Sequence, residues 1–475
     1  MALLAIDRLD DALGIGIERL VGAHHRRRLA RIGWSRAFDS VGGWASGEPP
    51  PRDGNAIEVL VDGDDALARI ETEIAAARES VLLAGWAFTP SFHLRRGGPT
   101  LRELLAGAAE HADVRVLAWA GAPLPLFTPS RAQVRAMRDE LVRGTRVRMA
   151  LDSHERPLHC HHEKLVVVDG RVAFVGGIDL TDLAGRRFDT SEHPPRGVLG
   201  WHDACVRLEG PAVADVARHF ALRWRETTGE PLSEPSEPGP AGTTEVQIVR
   251  TVPERVYRAL PAGEFSILES YIRALRGAER LIYLENQFLW SPEIVAVLAD
   301  KLRSPPDDRF RLLCVLPARP NDGADDTRGQ LGILLEADDG AGRLLACSLY
   351  QRGEGAASVY VHAKVGIVDD TWLTVGSANL NEHSLFNDTE LNAVVHEPEL
   401  ARAARHRLWR EHLERDDVDG DPTELIDTVW RPIAEEQLRR RESGKPLEHR
   451  LARLPQVSKR SRRLLGPLQG LLVDG

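Results

Sequence analysis

The chain contains one pattern twice. His162-x-Lys164-x4-Asp169 and His362-x-Lys364-x4-Asp369 stand 200 residues apart, and the segments before them pair off in order. A duplication on this scale means that the fold is built from two copies of one unit. Residues 64–79 place Leu67, Ile70 and Ile74 at helical spacing; residues 266–279 do the same with Leu268, Ile272 and Leu275. Apolar runs at 81–88 and 281–290 follow, then helical patterns at 100–111 and 292–303. Buried strand patterns come next at 114–120 and 309–317, then helical segments near 130–142 and 328–338. Strands at 147–151 and 344–350 precede each motif. Strands alternating with helices of this length predict an α/β fold: two tandem repeats of a mainly parallel or mixed sheet flanked by helices, related by a pseudo-twofold.

This repeat divides the chain into five parts. Residues 1–50 form a helical and basic extension, 51–228 the first half, and 229–245 a linker rich in Pro, Glu, Ser and Gly. Residues 246–415 form the second half and 416–475 a charged tail. The extension places Leu13, Ile15, Ile17 and Leu20 at helical spacing, and a basic run, HHRRRLARIGW, follows at 24–34. Such a segment can pack on the body or lie on an anionic membrane surface. It does not read as a secretory signal. No stretch reaches the roughly 18 apolar residues of a membrane span. The four cysteines, Cys160, Cys205, Cys314 and Cys347, are far apart and form no CxxC pair, so reduced thiols in a cytoplasmic protein are expected. A formal net charge of −10 argues against nonspecific nucleic-acid binding.

The motif itself points to anion chemistry. On an extended strand, positions two apart share a face, so His162 lies beside Lys164 and His362 beside Lys364. An imidazole next to an ammonium is a poor structural pair and becomes sensible around an anion. Asp169-Gly170, and more weakly Asp369-Asp370, signal a tight hairpin. With a two-residue turn, 162 faces about 177, which brings Gly176, Gly177 and Asp179 back to the level of His162. Gly376, Ser377 and Asn379 return to His362 in the same way. Small residues there let an anionic group approach the backbone, and Ser377 and Asn379 can donate to phosphate oxygens. Asp169 and Asp369 fit hairpin architecture as well as chemistry. The cluster His154, His159, His161 and His162 lacks helical i, i+4 spacing and has no copy near 362, so no metal and no cofactor are expected.

The doubled H-x-K-x4-D motif resembles the phospholipase D superfamily. HHEKLVVVDGRVAFVGGIDL at 161–180, WHDACVRLEGPAVADVARHFALRW at 201–224, IYLENQF at 282–288 and VYVHAKVGIVDDTWLTVGSANLNEHS at 359–384 resemble its eukaryotic-type phospholipases, over roughly 55–415. Two departures are His383, where the family often has Arg, and Asp179 in place of Asn, itself usual in the eukaryotic-type first motif. The resemblance implies one active site shared by two halves, neither working alone, and a metal-independent displacement at phosphorus through a covalent phosphohistidine. It implies His162 as nucleophile and His362 as general acid and base, the reverse staying open. Lys164, Lys364, Ser377 and Asn379 would stabilise charge. Glu390 matches the family's acidic partner of an imidazole, and Asp189 is the first-half candidate. The implied substrate is a phospholipid, giving phosphatidic acid with water or headgroup exchange with an alcohol. A cardiolipin-synthase-like transferase, a nuclease and a silent membrane-binding scaffold are the rivals.

Overall fold

The computed structural model describes residues 16, 20–123, 128–183, 201–319 and 324–455. In the first half the strands are β1 (Arg52–Val61), β2 (Ser80–Gly85), β3 (Asp113–Trp119), β4 (Arg148–Asp152), β5 (Leu165–Val168), β6 (Val172–Gly176), β7 (Trp201–His202) and β8 (Ala204–Glu209). The second half supplies β9 (Thr244–Val252), β10 (Glu264–Phe265), β11 (Leu281–Glu285), β12 (Arg311–Val315), β13 (Leu344–Leu349), β14 (Tyr360–Val361), β15 (Val365–Val368), β16 (Trp372–Gly376) and β17 (Glu390–Val395), and β18 (Leu451–Arg453) follows. The helices that matter below are α1 (20–31), α2 (Asp62–Ala76), α3 (Ala212–Thr228), α4 (Pro292–Arg303) and α5 (Pro398–Leu413).

Each half orders its strands alike. The first reads β1-β8-β6-β5-β2-β3-β4, and the second reads β9-β17-β16-β15-β11-β12-β13. The sheets are mixed and flanked by helices. Within these two sheets, the described strands pair parallel in β2-β3-β4 and β11-β12-β13, where crossover helices connect them, and the short β7 pairs parallel with β14. The hairpins β5-β6 and β15-β16 and their neighbours pair antiparallel. β1 pairs with β9, with Arg52 opposite Val246, so the two sheets join edge to edge across a register shift.

The halves also share one core. Leu165, Val175, Val206 and Leu208 of the first pack with Val365, Ile367, Val375 and Ala393 of the second, beside Phe220 and Trp224 of α3 and Trp409 of α5. This apolar interior excludes water from the seam, so any polar group there must find a protein partner.

The extension and the charged tail are built into the body wherever they are described. From α1, Leu29 is fully buried, His25 stacks on Phe386 and Arg28 grips Glu254. Leu13, Ile15 and Ile17 lie outside the described residues. After 416, Trp430 packs against Tyr283 and Trp409, and β18 pairs antiparallel with β13. Among the described residues, no helix is long and apolar enough to cross a membrane. All four cysteines are buried and outside any disulfide.

Candidate active site

The two motifs lie on matching hairpins. Asp169 and Gly170 turn at φ of 52° and 58°, and Asp369 and Asp370 at 53° and 52°, the left-handed pair a tight hairpin requires. Arg171 N–H closes the first turn on Val168 O, and Thr371 N–H closes the second on Val368 O. The strands then pair Val168 with Val172 and Val368 with Trp372. One residue more is left in the turn than the sequence suggests. The return therefore runs one position later than expected: Lys164 meets Gly176, and Lys364 meets Gly376. The segments bearing His162 and His362 precede the regular strands.

Asp169 and Asp369, expected as possible chemistry, are architectural. Asp169 accepts the backbone N–H groups of Arg78, Glu79 and Ser80, at 2.7–3.1 Å. Asp369 does the same for Glu279, Arg280 and Leu281, at 2.7–2.8 Å. Both carboxylates tie the hairpin tip to the start of a neighbouring strand, at the opposite end of the hairpin from the imidazoles. Burial alone would raise the Asp169 carboxyl, but its backbone donors hold it below its ordinary value.

The imidazoles are held across the seam. His162 Nδ1 donates to Glu390 Oε1 of the second half at 2.9 Å. His362 Nδ1 donates to Asp203 Oδ2 of the first half at 2.7 Å. The backbone repeats the exchange. The N–H groups of His162 and Glu163 both reach Thr389 O, and those of His362 and Ala363 both reach His202 O. Each half thus presents a histidine that the other half orients. With Nδ1 committed as donor, Nε2 is the ring nitrogen left to react. All four residues are buried.

Asp203 is the acid that sequence reasoning missed. Glu390 opens β17 shortly after β16 ends at Gly376. In the first half, β6 ends at Gly176 but β8 begins only at Ala204. A longer connection moves the matching acid away from the position that a constant repeat offset suggests. Asp189 lies outside the described residues. The signal for Asp203 was the WHD triplet at 201–203.

The remaining site residues sort into three jobs. Lys164 Nζ donates to His162 O at 2.6 Å and sits 3.4 Å from Asp179 Oδ1. Lys364 Nζ donates to His362 O and, at 3.2 Å, to Gln287 Oε1, which also accepts from Asn379 Nδ2 at 3.3 Å. Burial pushes Lys364 down to about 7, and Asp203, Lys164, Asp179 and Glu390 all act on its charge. Groups of both halves therefore converge on one place. Gly177 makes room: a Cβ there would lie 2.2 Å from Asp203 Oδ1. Ser377, expected to face phosphate, instead donates to Glu390 Oε2; Ser384 donates to Glu390 Oε1 at 2.5 Å. The nearby hydroxyls serve the carboxylate because it is buried and needs donors.

Behind His362 lies a closed polar network. His202 bridges Asp62 Oδ1 at 3.0 Å and Glu285 Oε2 at 2.7 Å, and His412 meets Glu285 Oε1 at 2.8 Å. Burial opposes charging of His202, but Glu285 and Asp62 raise it well above its ordinary value. Trp201 and Tyr360 flank the His362 ring at 4.5 and 6.3 Å.

The chain is similar to several known proteins. Residues 341–411 match the family model described as "Cardiolipin synthase, PLD-like domain". The chain is 26% identical to Phospholipase D A of Dictyostelium discoideum, over 77% of this chain and 36% of that protein. It is 26% identical to Phospholipase D alpha 4 of Arabidopsis thaliana, over 75% and 65%. It is 27% identical to Major cardiolipin synthase ClsA of Bacillus subtilis (strain 168), over 73% and 67%. The chain thus spans about a third to two thirds of the length of the phospholipases D it matches. Among solved structures, phosphatidylserine synthase of Haemophilus influenzae Rd KW20 superposes with a TM-score of 0.51 at 12% identity, over 82% of this chain and 93% of that one, a likeness of fold. Beside a doubled motif on matching hairpins and two histidines exchanged across one seam, these likenesses support the phospholipase D superfamily.

Proposed function

We propose that the protein is a phosphodiesterase acting on glycerophospholipids, releasing the headgroup alcohol and phosphatidic acid. The observation that carries this reading is the reciprocal grip on the two imidazoles, His162 by Glu390 and His362 by Asp203. It commits Nδ1 of each ring to a carboxylate in a site bearing two lysines, the equipment for splitting one displacement into two. His162 Nε2 attacks phosphorus, and the bond from phosphorus to the headgroup oxygen breaks. His362 gives its Nε2 proton to that oxygen. His362 then takes a proton from water, the water oxygen attacks phosphorus, and the bond to His162 breaks. Lys164 and Lys364 balance the charge that builds on the phosphoryl oxygens, with Asn379 and Gln287 orienting Lys364. This route calls for no metal ion among its steps.

A second acceptor deserves a place in the same scheme, because the matched family model and the B. subtilis relative both carry the name cardiolipin synthase. An alcohol in place of water yields headgroup exchange from the same phosphohistidine. Substrate access at a membrane falls to α1, where His24, Arg26, Arg27 and Arg31 are exposed and suit an anionic surface.

The test is turnover of phosphatidylcholine, phosphatidylethanolamine, phosphatidylglycerol and single-stranded DNA by purified protein, with glycerol as an added acceptor. Phosphatidic acid is expected from at least one lipid, with exchange product when alcohol is supplied. Cleavage of DNA without lipid turnover would overturn the substrate assignment.

A further inference from the structure

In the sequence, the histidines at 154–162 form a local cluster without metal-ligand spacing. Folding changes the company that one of them keeps. His159 is brought against the second half, where His383 and Asp388 await it. His159 Nδ1 lies 3.0 Å from His383 Nδ1 and 3.5 Å from Asp388 Oδ1. The other histidines are engaged elsewhere: His154 with Asp152, and His161 with Thr389 and Asp152.

We propose that His159, His383 and Asp388 form a binding site for a divalent transition ion of the zinc class, separate from the reacting imidazoles. In tetrahedral zinc sites, N and O ligands about 2.0–2.1 Å from the ion stand roughly 3.3 Å from one another. The two separations here bracket that edge length, and the three ligating atoms already share one small volume. Two imidazoles and one carboxylate are an established donor set for such ions.

A second observation is independent of those spacings. Asp388 is fully buried, and its Oδ2 takes no hydrogen bond. A buried carboxylate oxygen without a donor is costly. Oδ1 is already fixed by the Cys160 N–H at 2.9 Å, which orients the carboxylate as a ligand needs. Access is provided by His159, whose side chain keeps 17% of its surface exposed while Asp388 has none. An ion can enter from that side and keep water in its fourth position.

The site goes beyond the reaction proposed above and does not depend on it. The bound ion would join the segment leading into His162 to the segment leading into Glu390. It would staple the two halves beside the catalytic seam and take no part in the chemistry.

The experiment is calorimetric titration of Zn²⁺ into full-length protein stripped with chelator and dialysed. Tight binding of one equivalent is expected, with His159→Gln weakening it by at least about tenfold. His383→Gln should do likewise, and His154→Gln should leave the affinity unchanged. His159 is partly exposed, so its variant should fold, which circular dichroism of the metal-free protein checks. Saturating Zn²⁺ should raise the Tm of the wild type and not that of His159→Gln. Failure of the wild type to bind Zn²⁺, or equal loss in His154→Gln and His159→Gln, would overturn the site.

Discussion

His162 and His362 stand in equivalent places but are supported differently. Beneath His162, Glu390 accepts hydrogen bonds from the ring, from Ser377 and from Ser384. Beneath His362, the shorter Asp203 takes the ring and the Ala204 N–H. It fits only because Gly177 stands where the other half has Ser377. The lysines differ too: Lys164 has Asp179 at 3.4 Å, whereas the matching position beside Lys364 is Asn379. A duplicated scaffold has therefore kept its histidines and lysines and diverged in the groups beside them. That divergence makes the two histidines chemically distinguishable, although the motif that carries them is nearly symmetric.

The largest effect should come from the histidines. His162→Asn and His362→Asn should each lower turnover by at least about 10³-fold. A phosphodiester with a nitrophenolate leaving group separates them, because that group departs without a proton. His362→Asn should still accumulate a phosphorylated protein, seen by mass spectrometry, and His162→Asn should not. Labelling in the opposite pattern would exchange the two roles.

Next come the carboxylates. Glu390→Gln and Asp203→Asn should each reduce kcat by about 10²–10⁴-fold, the scale on which loss of an imidazole's carboxylate partner acts. KM should change far less in both. A normal kcat in Asp203→Asn would break the pairing drawn from the geometry.

The lysine asymmetry predicts a proton count. Lys364, pushed by burial to about 7, is mainly neutral at slightly alkaline pH, and an anion beside it raises its affinity for a proton. Binding of vanadate or inorganic phosphate at about pH 8 should therefore take up a proton. Calorimetry in buffers of different ionisation enthalpy measures the uptake. Asn379→Asp supplies the missing carboxylate, charges Lys364 in the free protein and should abolish it.

The smallest effect concerns the hairpin tips. Asp169→Asn should cost about 1–3 kcal/mol in denaturant unfolding, from weakened hydrogen bonds to three N–H groups, with near-normal turnover per folded molecule. The sign with pH is fixed by the lowered native value. The carboxylate contributes stability above its ordinary 3.8 and loses it as pH falls through the native value. Wild type and variant should converge in acid. A large loss of kcat at unchanged stability would return Asp169 to the chemistry.

Much of this was readable in the chain. The expected helix at 292–303 is α4 residue for residue, and the alternation of strands and helices in both halves gave the mixed sheet. Those features rest on periodicity and capping, which act between near neighbours, as where the Ser291 side chain accepts the Ile294 N–H. The motif residues were legible because duplication displays them twice, and Glu390 because its NDTELN segment resembles the family's. Asp203 was hidden by an unequal loop. Ser377 was misread because its partner is thirteen residues away in the chain but one strand away in space.

By itself, then, the sequence determined that the fold is double and that each half carries one His-x-Lys pair, the groups to which the proposed reaction is assigned. A repeated pattern and strand alternation are local properties of the chain. Tertiary structure alone decided that each histidine belongs to the other half's carboxylate. It also decided that Asp169 and Asp369 serve the hairpins and that His159 faces His383 and Asp388. Each of those pairings joins groups far apart in the chain through a buried seam, where polar atoms without water must take whichever partner the packing brings.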